Sequence, residues 1–343
     1  MHTTLVTIVG AGPIGIELAA ALKSRNISYR HFERGQIGST IEWYAPGTQF
    51  FSSPERIEIA GVPLQTLNQT KATREEYLLY LRSVVKQFDL KIDTYHSVLS
   101  VERGDNHTLT IQPSLGGEKF RMASQYVVLA IGDMHRPRLL GLDGESLPHV
   151  SHYLLDPHHY FNKKVLIVGG KNSAVEAAIR LHRIGAAVSL SYRRAAFGKS
   201  IKYWLLPEIQ YLIKHGAIDF YPETEPISIS PQAVKLLRVA GDEFEVKTDL
   251  VLLLTGYEQE KELFHKCGIP LIGEGGKPKF NKQTMESEIP GIFVAGTASA
   301  GTQIGGVREF IETSHIHVSR IVSRICGEAP PQEEEVDTSS LES

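Results

Sequence analysis

Two short glycine-rich turns carry the residue types and spacing that could do chemistry. The first follows the apolar run Val6–Val9 and reads Gly10-Ala11-Gly12-Pro13-Ile14-Gly15. The second follows Val165–Val168 and reads Gly169-Gly170-Lys171-Asn172-Ser173-Ala174. A turn that binds a pyrophosphate needs one glycine for the tight bend and a second for close backbone approach to the anion. A third lets helix and strand pack closely, and the helix N-terminus then faces the phosphates. Gly10, Gly12 and Gly15 fill all three positions, with Pro13 and Ile14 between them. An acidic residue about 20 residues on is expected to hold the ribose hydroxyls. Glu33, followed by Arg34, ends the strand Tyr29–Phe32 at that distance.

The second turn is less regular. Gly169 and Ala174 fit the first and third positions, while Lys171 replaces the middle glycine. Its side chain would crowd a pyrophosphate or contact a phosphate through its ammonium. The next strand, Val188–Tyr192, ends in Arg193-Arg194 with no acid. An acid there would select a 2′-hydroxyl, whereas arginines accommodate a 2′-phosphate, which favours NADPH over NADH.

Each turn needs a strand before it and a helix after it. Leu18, Ala19 and Leu22 give the first helix an apolar face. Thr73 and Glu76 predict a capping box at the start of a helix over 73–88. Residues 97–131 read as antiparallel strands ending in the apolar run Tyr126–Ile131 before Gly132, as buried strands of a parallel sheet do. A Pro-, Gly- and His-rich stretch over 133–163 reads as a crossing between domains. Short strands are expected over 217–254, Leu250–Leu254 leading to Thr255-Gly256, and a final helix over about 306–326.

The 343 residues suffice for two domains. With 42% hydrophobic and 22% charged residues, the composition is that of a soluble globular protein. A net charge of −3 argues against a nucleic-acid partner. No apolar run reaches the ~18 residues of a membrane span, and no basic, cleavable leader is visible, so the expected location is the cytoplasm. The two cysteines, Cys267 and Cys326, form no Cys-x-x-Cys. His149, His152, His158 and His159 lack a cysteine or carboxylate partner at ligand spacing, so no metal is expected.

The order of motifs resembles the two-dinucleotide-binding flavoprotein superfamily, which includes thioredoxin reductases and flavin monooxygenases. The resemblance implies an α/β fold of two Rossmann-like dinucleotide-binding domains, the second inserted into the first. It implies FAD at the first turn and NAD(P)H at the second, where the arginine pair favours NADPH. The expected domains are 1–150 and 285–328 for FAD, 151–284 for NADPH, and a disordered tail over 329–343. Ala130-Ile131-Gly132 and Leu254-Thr255-Gly256 resemble the paired crossing motifs. Gly291–Thr297 is similar to the C-terminal FAD motif, with Thr297 where the superfamily usually has Asp. Gln303-Ile304-Gly305-Gly306-Val307 is expected to direct backbone N–H groups at the flavin, and Ser52 and Ser53 to hydrogen-bond flavin or substrate.

Within the superfamily the chain more closely resembles the bacillithiol-disulfide reductase family. The passages that carry this are Phe50–Ile59, Gly169–Ala174, Tyr192-Arg193-Arg194 and Ser200–Pro207. The resemblance implies an FAD-dependent, NADPH-oxidising reductase of a low-molecular-weight disulfide or related small-molecule acceptor, assembled as a homodimer or homotetramer. It also implies a cysteine within the first turn, at the position that Ile14 occupies here. Isoleucine cannot be a nucleophile. Two alternatives stay open: a flavin monooxygenase, whose linker the segment His152-Tyr153 to His159-Tyr160-Phe161 loosely resembles, and a reductase that passes electrons to a ferredoxin- or flavodoxin-like partner.

Overall fold

The computed structural model describes residues 3–103, 106–198, 200–304 and 308–331. Strand β1 (Thr3–Val9) buries four successive residues from Val6. Burial on both faces requires an inner strand of a parallel sheet. It leads through the first glycine turn into α1 (Pro13–Ser24) and then β2 (Tyr29–Phe32). Helix α2 (Arg74–Gln87) starts with the expected capping box: Thr73 Oγ1 accepts from Glu76 N, and the Glu76 carboxylate accepts from Thr73 N. Strands β3 (His96–Glu102), β4 (His107–Pro113) and β5 (Phe120–Leu129) follow. The sheet order is β2-β1-β5-β4-β3, with β1 parallel to both neighbours and the β3–β5 stretch antiparallel.

A second unit repeats the plan. Strand β6 (Lys164–Val168) enters the second glycine turn, followed by α3 (Asn172–Arg183), β7 (Ala187–Tyr192), α4 (Leu205–Lys214) and β8 (Asp219–Pro222). An antiparallel ribbon of β9 (Thr224–Ile229), β10 (Ala233–Arg238) and β11 (Glu243–Lys247) leads to β12 (Leu250–Leu253). The main sheet runs β8-β7-β6-β12, all parallel, with Val150–Ser151 added beside β12. Apolar clusters cover both faces, one under α3 and α4 and one under the antiparallel ribbon.

The chain then returns to the first unit. Strand β13 (Ile292–Val294) pairs in parallel with the C-terminal half of β5, whose N-terminal half pairs with β4. Helix α5 (Ile311–Cys326) closes the described fold, starting five residues later than the sequence suggests.

The first unit comprises residues up to Trp43, Gly47–Arg136 and the described chain from Tyr257. The second comprises Tyr44–Pro46 and Pro137–Gly256. These divisions fall before Pro137 and after Gly256, whereas the sequence suggests 150 and 284. Packing sets the difference. Val150 pairs with Val251 of β12, and Phe264, Cys267 and Ile269 are buried with Val9, Phe32 and Leu109 in the first unit's core.

Candidate functional site

The first turn is built by close backbone contacts. Gly10 has φ +105°, and a Cβ there would strike the Ala130 carbonyl of the neighbouring strand. A Cβ on Gly15 would strike the Gly10 carbonyl oxygen. Gly12, by contrast, faces open space. It caps α1 without any side-chain hydrogen bond, and Pro13 occupies the first helical turn. The first-turn N–H groups of α1 therefore have no side-chain cap and retain their affinity for an anion.

Glu33 is buried beside this turn. One carboxylate oxygen accepts from Ala11 N at 2.7 Å, and the other from Gly35 N at 2.8 Å and Ser39 Oγ at 3.1 Å. Exposed Arg34 pairs with Glu260 at 3.2 Å. Buried Ile14 lies against the backbone of Gly296, whose Cβ would stand 3.3 Å from the Ile14 Cβ. The first turn and the C-terminal motif thus meet, as their order in the sequence does not reveal. Gly296 N–H donates to His317 Nδ1 at 3.2 Å. Burial pushes His317 down to about 4, with Arg320, Lys277 and His315 adding to the effect, so its ring is a neutral acceptor at physiological pH.

The strand ends beside Gly132 hold a group that sequence reasoning missed. Burial raises the Asp133 carboxyl above its ordinary range, against hydrogen bonds from Gln303 and Thr297. Gln303 Nε2 donates to Asp133 at 2.8 Å and to Glu309 O at 3.0 Å, while its Oε1 accepts from Arg308 N and Glu309 N. Thr297 is therefore a partner of Asp133. Gln259 Nε2 donates to Gly132 O at 2.8 Å and to Ala298 O at 3.0 Å. The only sequence signal was an acid directly after a strand-ending glycine. Ser52 is buried, and Ser53 begins the short helix Pro54–Ile57 without a side-chain cap bond. Gly306 and Val307 lie outside the described residues, as do residues 332–343 of the tail.

The second turn is also tight. A Cβ on Gly169 would strike the Leu254 carbonyl, and one on Gly170 would strike the Tyr192 ring. Lys171 caps α3 without a side-chain bond and is exposed, as are Ser173, Arg193, Arg194 and Gly256, while Ala174 is buried. Asn172 tethers the segment at 200–202. Its Oδ1 accepts from Lys202 N at 2.7 Å, and its Nδ2 donates to Ser200 O at 3.1 Å. Lys202 Nζ in turn reaches Glu176 at 3.0 Å.

Cys267 is buried and its thiol is pushed up to about 12, and Cys326 is exposed on α5. Among the described residues, no group of three or more His, Cys, Asp or Glu is placed to hold a metal. Glu145, which lies 3.6 Å from His152, also accepts from the backbone of Leu140, Gly141 and Leu142. Tyr160, in the segment similar to a monooxygenase linker, is buried in the second unit's core. No described helix is long and apolar enough to cross a membrane.

Two Rossmann-like units, each with an uncapped glycine turn, define a flavoprotein oxidoreductase that works with FAD and a pyridine nucleotide. Residues 7–296 match the pyridine nucleotide-disulphide oxidoreductase family, and the chain belongs to it. It is 34% identical over 318 residues to the bacilliredoxin reductase Bdr of Bacillus subtilis (strain 168), covering 93% of this chain and 96% of that one. The structure is similar to the bacillithiol disulfide reductase Bdr (YpdA) from Bacillus cereus, with a TM-score of 0.90 and 31% identity across 95% of this chain and 99% of that one. A ferredoxin–NADP reductase of Ignicoccus hospitalis (strain KIN4/I / DSM 18386 / JCM 14125) is 26% identical, covering 84% of this chain and 88% of that one.

Proposed function

We propose that this chain is an NADPH-oxidising, FAD-dependent reductase of a low-molecular-weight disulfide, of the bacillithiol-disulfide kind or related to it. The observation that carries this reading is the contrast between two uncapped turns. The first has a buried carboxylate, Glu33, at the ribose position. The second has the exposed pair Arg193 and Arg194, suited to a 2′-phosphate. FAD would lie on Gly10, Gly12, Pro13, Ile14 and Gly15, with Glu33 and Arg34 at one end. Ser52, Ser53, Gly132, Gly296 and Thr297, with Gly306 and Val307, would serve its other parts. NADPH would lie on Gly169–Ala174, Arg193, Arg194 and Gly256.

The flavin supplies the two-electron relay, so that NADPH, a proton and a disulfide become NADP+ and two thiols. The protein's part is to bind, orient and exclude water. Ile14 leaves the first turn without a thiol, and Cys267 is buried. Electrons would pass to the acceptor without a protein thiol between. The reading includes a homodimer or homotetramer in the cytoplasm, which light scattering and cell fractionation test.

Anaerobic titration of the yellow protein should bleach the flavin with NADPH at concentrations where NADH acts slowly. Adding a low-molecular-weight disulfide should then accelerate NADPH oxidation. A protein that binds no FAD, or a reducible flavin that no disulfide reoxidises, overturns the proposal. Ile14 also favours a second reading, a one-electron reductase, which the likeness to a ferredoxin–NADP reductase supports. Rapid electron transfer to a small iron–sulfur protein, with no disulfide turnover, would decide for it.

A further inference from the structure

The peptide between Gly10 and Ala11 is held at both ends by side chains of one neighbouring segment. Its carbonyl oxygen accepts from His31 Nε2 at 2.9 Å, and its N–H donates to Glu33 Oε2 at 2.7 Å. His31 and Glu33 stand two residues apart on and just after β2, a spacing that puts both on one face of the sheet. A carbonyl cannot donate, so His31 Nε2 carries the hydrogen. The His31 ring is wholly buried, and its Nδ1 has no partner. Burial pushes its pKa down to about 4, so the ring stays neutral across physiological pH.

This peptide is the first of the phosphate-binding turn. A carbonyl free to swing outward would present a negative dipole end to an anion at Gly12, while an inward carbonyl leaves the following N–H groups to face it. A plain core position would take an apolar side chain here, because a buried nitrogen without a partner is costly.

We infer that His31 is a positioning residue for the cofactor, which together with Glu33 locks the Gly10–Ala11 peptide so that the first turn is preset to receive a pyrophosphate. The inference rests on the FAD reading above. It also gives Glu33 a second role, because the carboxylate expected at the ribose is already tied to the turn.

The test compares His31→Phe, which keeps the bulk and loses the donor, with His31→Gln, which offers an amide N–H. FAD release from the holoprotein is followed by flavin fluorescence, and apoprotein unfolding and NADPH binding are measured in parallel. The Phe variant should release FAD about tenfold faster, with unfolding and NADPH affinity near wild type, and the Gln variant should recover most of the loss. His31→Leu serves if the Phe variant fails to fold. Wild-type FAD release in the Phe and Leu variants overturns the inference. So does a loss in which unfolding and FAD release change in step and Gln gives no rescue. Wild-type protein that binds no FAD would instead overturn the FAD reading itself.

Discussion

The two glycine turns share a backbone plan and differ in what surrounds them. The first is enclosed: Glu33 and His31 are buried, and every polar atom of the Glu33 carboxylate is engaged by the protein. The second is open: Lys171, Arg193 and Arg194 are exposed, and Asn172 tethers the following segment at 200–202. Enclosure suits a ligand that stays, because its site is preorganised and dry. Exposed cations suit one that exchanges, since they attract an anion without burying it. On the proposed function, the first turn retains FAD while NADPH comes and goes at the second.

The largest expected effect breaks the enclosed turn. Gly10→Val puts a β-branched residue at φ +105° and drives it into the Ala130 carbonyl. Backbone strain of ~1–3 kcal/mol and overpacking of similar size should together cost several kcal/mol. The purified variant should be colourless and melt well below wild type.

Next in size is the open turn's charge. Replacing both Arg193 and Arg194 with Ala should raise the KM for NADPH roughly 10- to 100-fold, the loss of one charged hydrogen bond of ~1.5–3 kcal/mol to the 2′-phosphate, and leave NADH turnover and FAD content unchanged. Equal losses with both nucleotides would remove the 2′-phosphate assignment. Asn172→Ala should raise the KM for NADPH by only about fivefold, on a net ~1 kcal/mol for the lost tether. Its FAD content should not move.

The smallest effect sharpens the description of the first turn's helix. His315 of α5 directs Nδ1 to Glu17 of α1 at 2.8 Å and Nε2 to the Arg56 carbonyl at 3.1 Å. Two acceptors require both ring nitrogens to donate, as an imidazolium does. Burial would lower its pKa, but the Glu17, Arg56 and Glu312 contacts outweigh it and leave the pKa raised. A raised folded pKa gives stability that is complete below the unfolded value near 6.5 and is lost as pH climbs through the folded one. The stability gap between wild type and His315→Gln should therefore be widest below pH 6.5 and narrow in alkaline solution. A gap that widens with pH would show that His315 is neutral in the fold.

Much of this was legible beforehand because it is local. Apolar runs mark the inner strands, glycine spacing marks both turns, and Thr73 with Glu76 marks a helix start that the structure reproduces. The division of the chain was less legible. The segment after Gly256 has no composition that assigns it, and its place follows from Phe264 and Ile269 finding the first unit's core. The start of α5 lies five residues beyond the position the sequence suggests, since the glycines before it carry no cap signal.

The residues alone determined the α/β class, the two glycine turns, the acid that follows one and the arginine pair that follows the other, and the isoleucine at position 14, because each depends on local sequence. Only the tertiary structure decided that His31 and Glu33 grip one peptide, that Ile14 meets Gly296, and that Asp133 is held by Gln303 from 170 residues away. The physical reason is that parallel strands distant in sequence end side by side. Polar groups brought together there must satisfy one another once water is excluded.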